Sequence, residues 1–148
     1  MKSSAVLICF CLLTIAAIRV TGRADASALP SPVLSFTHTE YYSTQGKDFI
    51  KYHFEVSNKD TYPADLFVES PSLPPCGDNT KASRTWIDVY EQNGKRLNGF
   101  CAIVSTKDLG DIWFALESNV VPPSWVYIEF TDRQTNAKYK SNLAETTQ

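Results

Sequence analysis

The chain has 148 residues, 43% of them hydrophobic, with 14 basic and 16 acidic side chains and a net charge of −2. That balance excludes a general nucleic-acid binder, which needs a concentrated basic face to neutralise phosphates. It also argues against electrostatic attachment to an anionic membrane.

The N-terminus reads "MKSSAVLICFCLLTIAAIRVTGRADASA", with Lys2 ahead of an apolar run from Ala5 to Ile18 and a small-x-small pattern at Ala24-Asp25-Ala26. These are the parts of a secretory signal peptide, expected over residues 1–26. The run is shorter than the roughly 20 apolar residues that span a bilayer, so no stable membrane anchor is expected. Cys9 and Cys11 would leave with the signal, and the remaining 27–148 have the length of one domain with frayed termini. Losing Lys2, Arg19, Arg23 and Asp25 takes the net charge to about −4. The expected location is therefore secreted or periplasmic.

Past the signal the chain reads as strands separated by turns. "VLSFTHTEYY" and "DFIKYHFEVSN" alternate with period two and flank "STQGKD", which predicts a hairpin. Its register decides the fate of the two histidines. If Phe36 and Tyr42 share a face with Ile50, Phe54 and Val56, the sum of paired numbers is even and His38 and His53 fall on opposite faces. A sum of 91 would set them side by side but split the apolar sets, so ordinary strand histidines are expected and no metal site.

"YPADLFVES" also alternates and is read as a strand beginning near Pro63. A proline-rich loop, "SPSLPPCGDNTKAS", follows. "RTWIDVYEQNGKRLNGFCAIV" then gives a hairpin with a type I′ turn at Asn93-Gly94. In that register positions summing to 187 face each other, so Glu91 meets Arg96, Tyr90 meets Leu97, Ile87 meets Phe100 and Trp86 meets Cys101. Ile87, Val89, Phe100 and Ala102 are assigned to the core, and Trp86, Asp88, Tyr90, Leu97 and Cys101 to the outer face. In "TKDLGDIWFALES" Leu109, Ile112, Trp113 and Leu116 also fit a helical face, but Gly110 and the shortness of the segment favour a strand with Trp113 in the core. "SWVYIEFTDRQTNAKYKSN" supplies a last strand pair around a turn at 132–136, and the polar tail "LAETTQ" is expected to fray.

About seven to eight short strands at this spacing specify an all-β chain, a single antiparallel β-sandwich. The order of strands in "FIKYHFEVSNKDTYPADLFVE" and the closing "PPSWVYIEFTDRQTNAKYKSN" resembles the fibronectin type III and immunoglobulin-like group of secreted β-sandwiches. The chain departs from antibody-type domains, whose paired cysteines lie on facing core strands.

In an oxidising compartment Cys76 and Cys101 most simply form one disulfide. The bridge would draw the loop 70–83 over Trp86, and closing it would contribute roughly 3 to 4 kcal/mol in the chain-entropy model. A metal role for the cysteines lacks partner ligands, and a catalytic thiol would need a free sulfur and a base. The aspartates fall mainly in turns, where they bond backbone, and no EF-hand loop is present. Asp132-Arg133 reads as turn chemistry and a charge pair. No phosphate loop, serine elbow or zinc-binding helix motif occurs, so no enzyme and no cofactor is expected.

What remains is recognition. The expected function is a non-catalytic module, monomeric, that binds a protein or glycan through Pro74, Pro75, Trp86, Tyr90 and Leu97; the alternative is an inhibitor of a secreted hydrolase acting through the same loop.

Overall fold

In the computed structural model, which describes residues 29–70 and 82–147, the alternating segments form eight strands in two antiparallel sheets. β1 (Leu34–Thr44) and β2 (Lys47–Val56) make the first hairpin, and β5 (Ile112–Glu117) pairs with β2 to complete a three-stranded sheet in the order β1-β2-β5. β3 (Thr85–Glu91), β4 (Arg96–Phe100), β6 (Trp125–Asp132) and β7 (Lys138–Lys140) form the second sheet in the order β4-β3-β6-β7. β8 (Ala144–Glu145) continues alongside β6.

The sheets face each other across one core, the arrangement of a β-sandwich. Tyr52, Phe54, Val56, Ile112 and Phe114 point in from the first sheet; Ile87, Val89, Val126, Ile128 and Phe130 point in from the second. Aromatic contacts fill the core: within the first sheet Tyr52 and Phe54 meet Phe114 at 5.0 and 6.0 Å, and Tyr62 and Phe67 from a connecting segment meet Phe130 of the second at 5.4 and 6.2 Å. Each such ring fully removed from water contributes roughly 1.5–3 kcal/mol.

The first hairpin obeys both registers considered above. From Thr44↔Lys47 to His38↔His53 the pairs sum to 91, and from Phe36↔Phe54 to Leu34↔Val56 they sum to 90. Thr37 is the extra residue, a β-bulge that switches the face of β1 at mid-strand. Phe36 therefore packs edge-on against core Phe54 at 5.5 Å while His38 stacks on His53 outside. The expected separation of the two histidines is overturned, because it assumed one register for the whole strand. The hairpin turns at Gln45-Gly46, with φ of 52° and 74°, so the type I′ geometry occurs here.

At 92–94 the turn differs from expectation. Gly94 N–H donates to the Glu91 carbonyl at 2.9 Å, and of Gln92 to Lys95 only Gly94 has positive φ, 89°. This is a three-residue loop ending in a left-handed glycine, not a type I′ pair. The sum of 187 holds from Ile87↔Phe100 to Val89↔Asn98, but Tyr90 pairs with Arg96. Leu97 is the bulged residue and packs against the core, so it leaves the outer face where it was expected. The ladder ends at Ile87↔Phe100, so the expected Trp86–Cys101 pair does not form.

Two further segments are corrected. Ala64–Phe67 is a 3₁₀ helix entered from Pro63, and it buries both Leu66 and Phe67. A strand would have turned one of these neighbours outward. Trp113 is half-buried on the outer face of β5, cross-strand from His53, while Ile112 and Phe114 fill the core. Ahead of it, Thr106–Gly110 is a 3₁₀ helix with a Ser105–Asp108 capping box, which accounts for the helical signal there. The C-terminal tail is docked rather than frayed as far as Thr146, whose hydroxyl donates to the Pro123 carbonyl at 2.6 Å.

Both open sides of the sandwich are stitched by an asparagine. Asn142 accepts from Leu34 N–H at 2.8 Å and donates to the Leu34 carbonyl at 3.1 Å, joining the last strand region to β1. Asn98, which faces inward opposite core Val89, donates to the Trp113 carbonyl at 2.7 Å and joins β4 to β5. Residues 1–28, and with them the expected signal peptide, lie outside the described residues. Asn142→Ala and Asn98→Ala should each lower unfolding free energy by about 1–3 kcal/mol, since each strips partly buried backbone groups of a partner. The sites are on opposite sides of the sandwich, so the double variant should be additive in urea denaturation.

Candidate recognition face

The outer face of the five-stranded sheet is where alternation places Trp86, Asp88 and Tyr90 of β3. Across from them on β6 stand Thr131, Glu129 and Tyr127. β7 adds Lys138 and Lys140, paired with Thr131 and Glu129, and β4 adds Arg96. Every position in this array is set by a cross-strand pair, so the side chains stand on rigid backbone.

The array is ordered by charge and aromaticity. At one end the Arg133 guanidinium, from the β6–β7 turn, lies 4.3 Å above the Trp86 ring. In the middle Arg96 donates to Asp88 at 2.6 Å, and Lys138 pairs with Glu129. At the other end Tyr90 and Tyr127 stack at 5.2 Å, with the Lys140 ammonium 3.7 Å from the Tyr127 centroid. Arg96 can lie down over the sheet because position 99 is glycine: a Cβ there would stand 1.8 Å from its Nη2. Burial, then Asp88 and Glu129, raises the Tyr90 phenol, while the Glu129 carboxylate raises Lys138.

Asp132 fixes this face at its Arg133 end. Its carboxylate accepts from Arg84 Nε at 3.0 Å and Nη2 at 2.8 Å, from Gln134 N–H at 2.9 Å and from the Thr135 hydroxyl at 2.9 Å. Arg84 reaches on to Asp65 at 3.1 Å. The charge pair expected between Asp132 and its neighbour Arg133 is thus with Arg84, and Arg133 is released to stack on Trp86. Arg84 foremost, helped by the backbone of Gln134 and by Thr135, holds the Asp132 carboxyl down at about 2.

No protein-family model, curated protein or solved structure matches the chain. The site is therefore read from its geometry alone.

Of the residues singled out from sequence, Trp86 and Tyr90 stand on this face and Leu97 does not. Pro74, Pro75 and Cys76 lie outside the described residues, as does nearly all of the loop 70–83 on which an inhibitor reading depends. Cys101 is half-buried, and its carbonyl accepts from Ser83 N–H at 2.8 Å. From sequence Arg96 is read as the partner of Glu91 and Arg133 as that of Asp132, neither as part of a site, and Lys140 is not singled out. Alternation on β6 and β7 could have placed Lys140, but Arg133 belongs to a turn and carries no periodic signal.

The outer face of the other sheet holds a second cluster. His38 and His53 stack at 4.4 Å and 7°; His53 Nδ1 is 2.6 Å from Asp111 Oδ1 and Nε2 is 3.2 Å from Glu40 Oε2. Lys51 pairs with Glu40 at 3.1 Å and lies over Trp113 at 4.9 Å. Lys51 first, and then His53, lowers the Glu40 carboxyl. The two rings are parallel and do not converge on a common point, and among the described residues no group of three or more His, Cys, Asp or Glu is placed to hold a metal ion.

Because the Asp132 carboxyl is depressed in the fold, its contribution is complete above the unfolded value near 3.8 and is lost as pH falls through about 2. That contribution is about 2 kcal/mol. Asp132→Asn should destabilise the chain by about 2–4 kcal/mol at pH 7, leaving Arg84 short of its partner. The gap to the unsubstituted chain should narrow between pH 4 and pH 2, which urea denaturation across that range would measure.

Proposed function

We propose that the chain is an exported, non-catalytic recognition module that binds a protein or glycan through the outer face of the five-stranded sheet. The observation that carries this reading is the row Trp86–Arg133, Asp88–Arg96, Glu129–Lys138, Tyr90–Tyr127–Lys140, laid across neighbouring strands. Aromatic and arginine side chains on fixed backbone are the groups that dominate recognition energy, because little conformational freedom is lost when they engage. Export is supported by the N-terminal sequence, and it makes a Cys76–Cys101 disulfide the natural state of that pair.

The strand order supports placement in the fibronectin type III branch of the immunoglobulin-like group. The fourth strand pairs with the third, beside the β3–β6–β7 sheet. In the antibody constant-type arrangement the fourth strand joins the other sheet instead. Such folds host many functions, so the face and not the fold carries the proposal.

The test uses the chain expressed with its export segment and purified after secretion, offered to a panel of secreted proteins and to a glycan array. A specific partner should be captured, and Trp86→Ala/Tyr90→Ala should weaken capture at least tenfold while circular dichroism stays unchanged. Capture indifferent to the double substitution would overturn the assignment of this face.

A further inference from the structure

The Trp86 end of the face contains a hollow of about 320 Å³ lined by Trp86, Asp88, Arg96, Thr131, Arg133, Asn136 and Lys138. Three of those residues are cations, arriving from β4, from the β6–β7 turn and from β7. Two of them are ion-paired, and the third is not. Asp88 is the one carboxylate of the lining and is engaged by Arg96, while Lys138 is met by Glu129 from outside it. Among the described residues Arg133 forms no ion pair; its guanidinium rests on the Trp86 ring, and its buried Nε has no acceptor there. Among the same residues the buried indole Nε1 of Trp86 has none either. Extending the count to the whole face, Arg96, Arg133, Lys138 and Lys140 stand against Asp88, Glu129 and, on β8, Glu145. An excess of positive charge on one face of a net acidic chain selects an anion.

We infer that this hollow is a subsite for an oxyanion substituent, a sulfate or phosphate ester, on an acidic saccharide. The inference rests on the outer face being the recognition face and names the ligand class it takes. Donors that converge from several strands suit a group with three outward oxygens better than a planar carboxylate, which is met by one bidentate fork. A guanidinium already seated on an aromatic face is preorganised and gives up little freedom on binding. Thr131 and Asn136 add a hydroxyl and an amide for the hydroxyls of the sugar that bears the ester.

The first arm titrates the secreted, folded chain with inorganic sulfate and inorganic phosphate by calorimetry, at ionic strength held constant with chloride so that screening does not masquerade as binding. One of the two should bind saturably. Arg133→Ala should weaken it at least tenfold, Arg133→Lys less, and Lys59→Ala, a cation away from the lining, not at all. The second arm compares a sulfated oligosaccharide, the same oligosaccharide after desulfation, and a sulfotyrosine peptide. The sulfated sugar should bind at least tenfold more tightly than its desulfated form and than the peptide. A non-saturating titration, or an Arg133→Ala variant that folds normally and binds unchanged, overturns the subsite. Tighter binding of the peptide overturns the saccharide. Loss of oxyanion binding in Arg133→Ala with partner capture intact would remove the saccharide-ester role and leave the recognition face standing; loss of capture in Trp86→Ala/Tyr90→Ala bears on the face itself.

Discussion

Asp132 ends β6, receives Arg84 from the approach to β3, caps the turn that leads into β7, and is 5% exposed while doing so. A carboxylate that far from water is tolerated only when its lone pairs are filled, and here two guanidinium N–H groups, a backbone N–H and a hydroxyl fill them. The consequences run outward. Arg84 also reaches Asp65, so the 3₁₀ helix that carries Leu66 and Phe67 into the core is tied to the same point. The turn it caps brings Arg133 back over Trp86. One polar junction thus positions part of the apolar interior and one end of the candidate site.

The second sheet and the histidine cluster show the same principle from the other side. A strand can present its residues alternately to core and solvent only while its register is unbroken. Thr37 and Leu97 each break it once. The first break lets β1 bury Leu34 and Phe36 and still stack His38 on His53. The second turns Leu97 toward the interior beside Asn98 and leaves Arg96 outside, above Gly99. In both strands the bulge sorts side chains that a uniform ladder would have placed wrongly.

That is also the boundary of what could be read from the residues. Period-two segments located β1, β2, β3, β4 and β6, and the inward set Tyr52, Phe54, Ile87, Val89, Val126, Ile128 and Phe130 follows from alternation. Bulges leave no mark in a one-strand pattern, which is why the histidine stack and the inward turn of Leu97 were missed. Leu66 and Phe67 were misread because an alternating segment four residues long can equally be a 3₁₀ turn. Trp86 and Tyr90 were legible as outward residues of β3; the cation over Trp86 was not, since Arg133 is aimed by the turn that Asp132 caps and not by periodicity.

The two asparagine stitches give the molecule a further property. Leu34 opens β1 opposite Val56, the last residue of β2, and Thr146 is held against Pro123 and Ser124 just ahead of β6. Tension applied at either end of the described chain therefore meets a docked residue before it reaches a ladder. Asn142 couples the first strand to the last strand region directly, so that load is shared between the two sheets at the point where it enters.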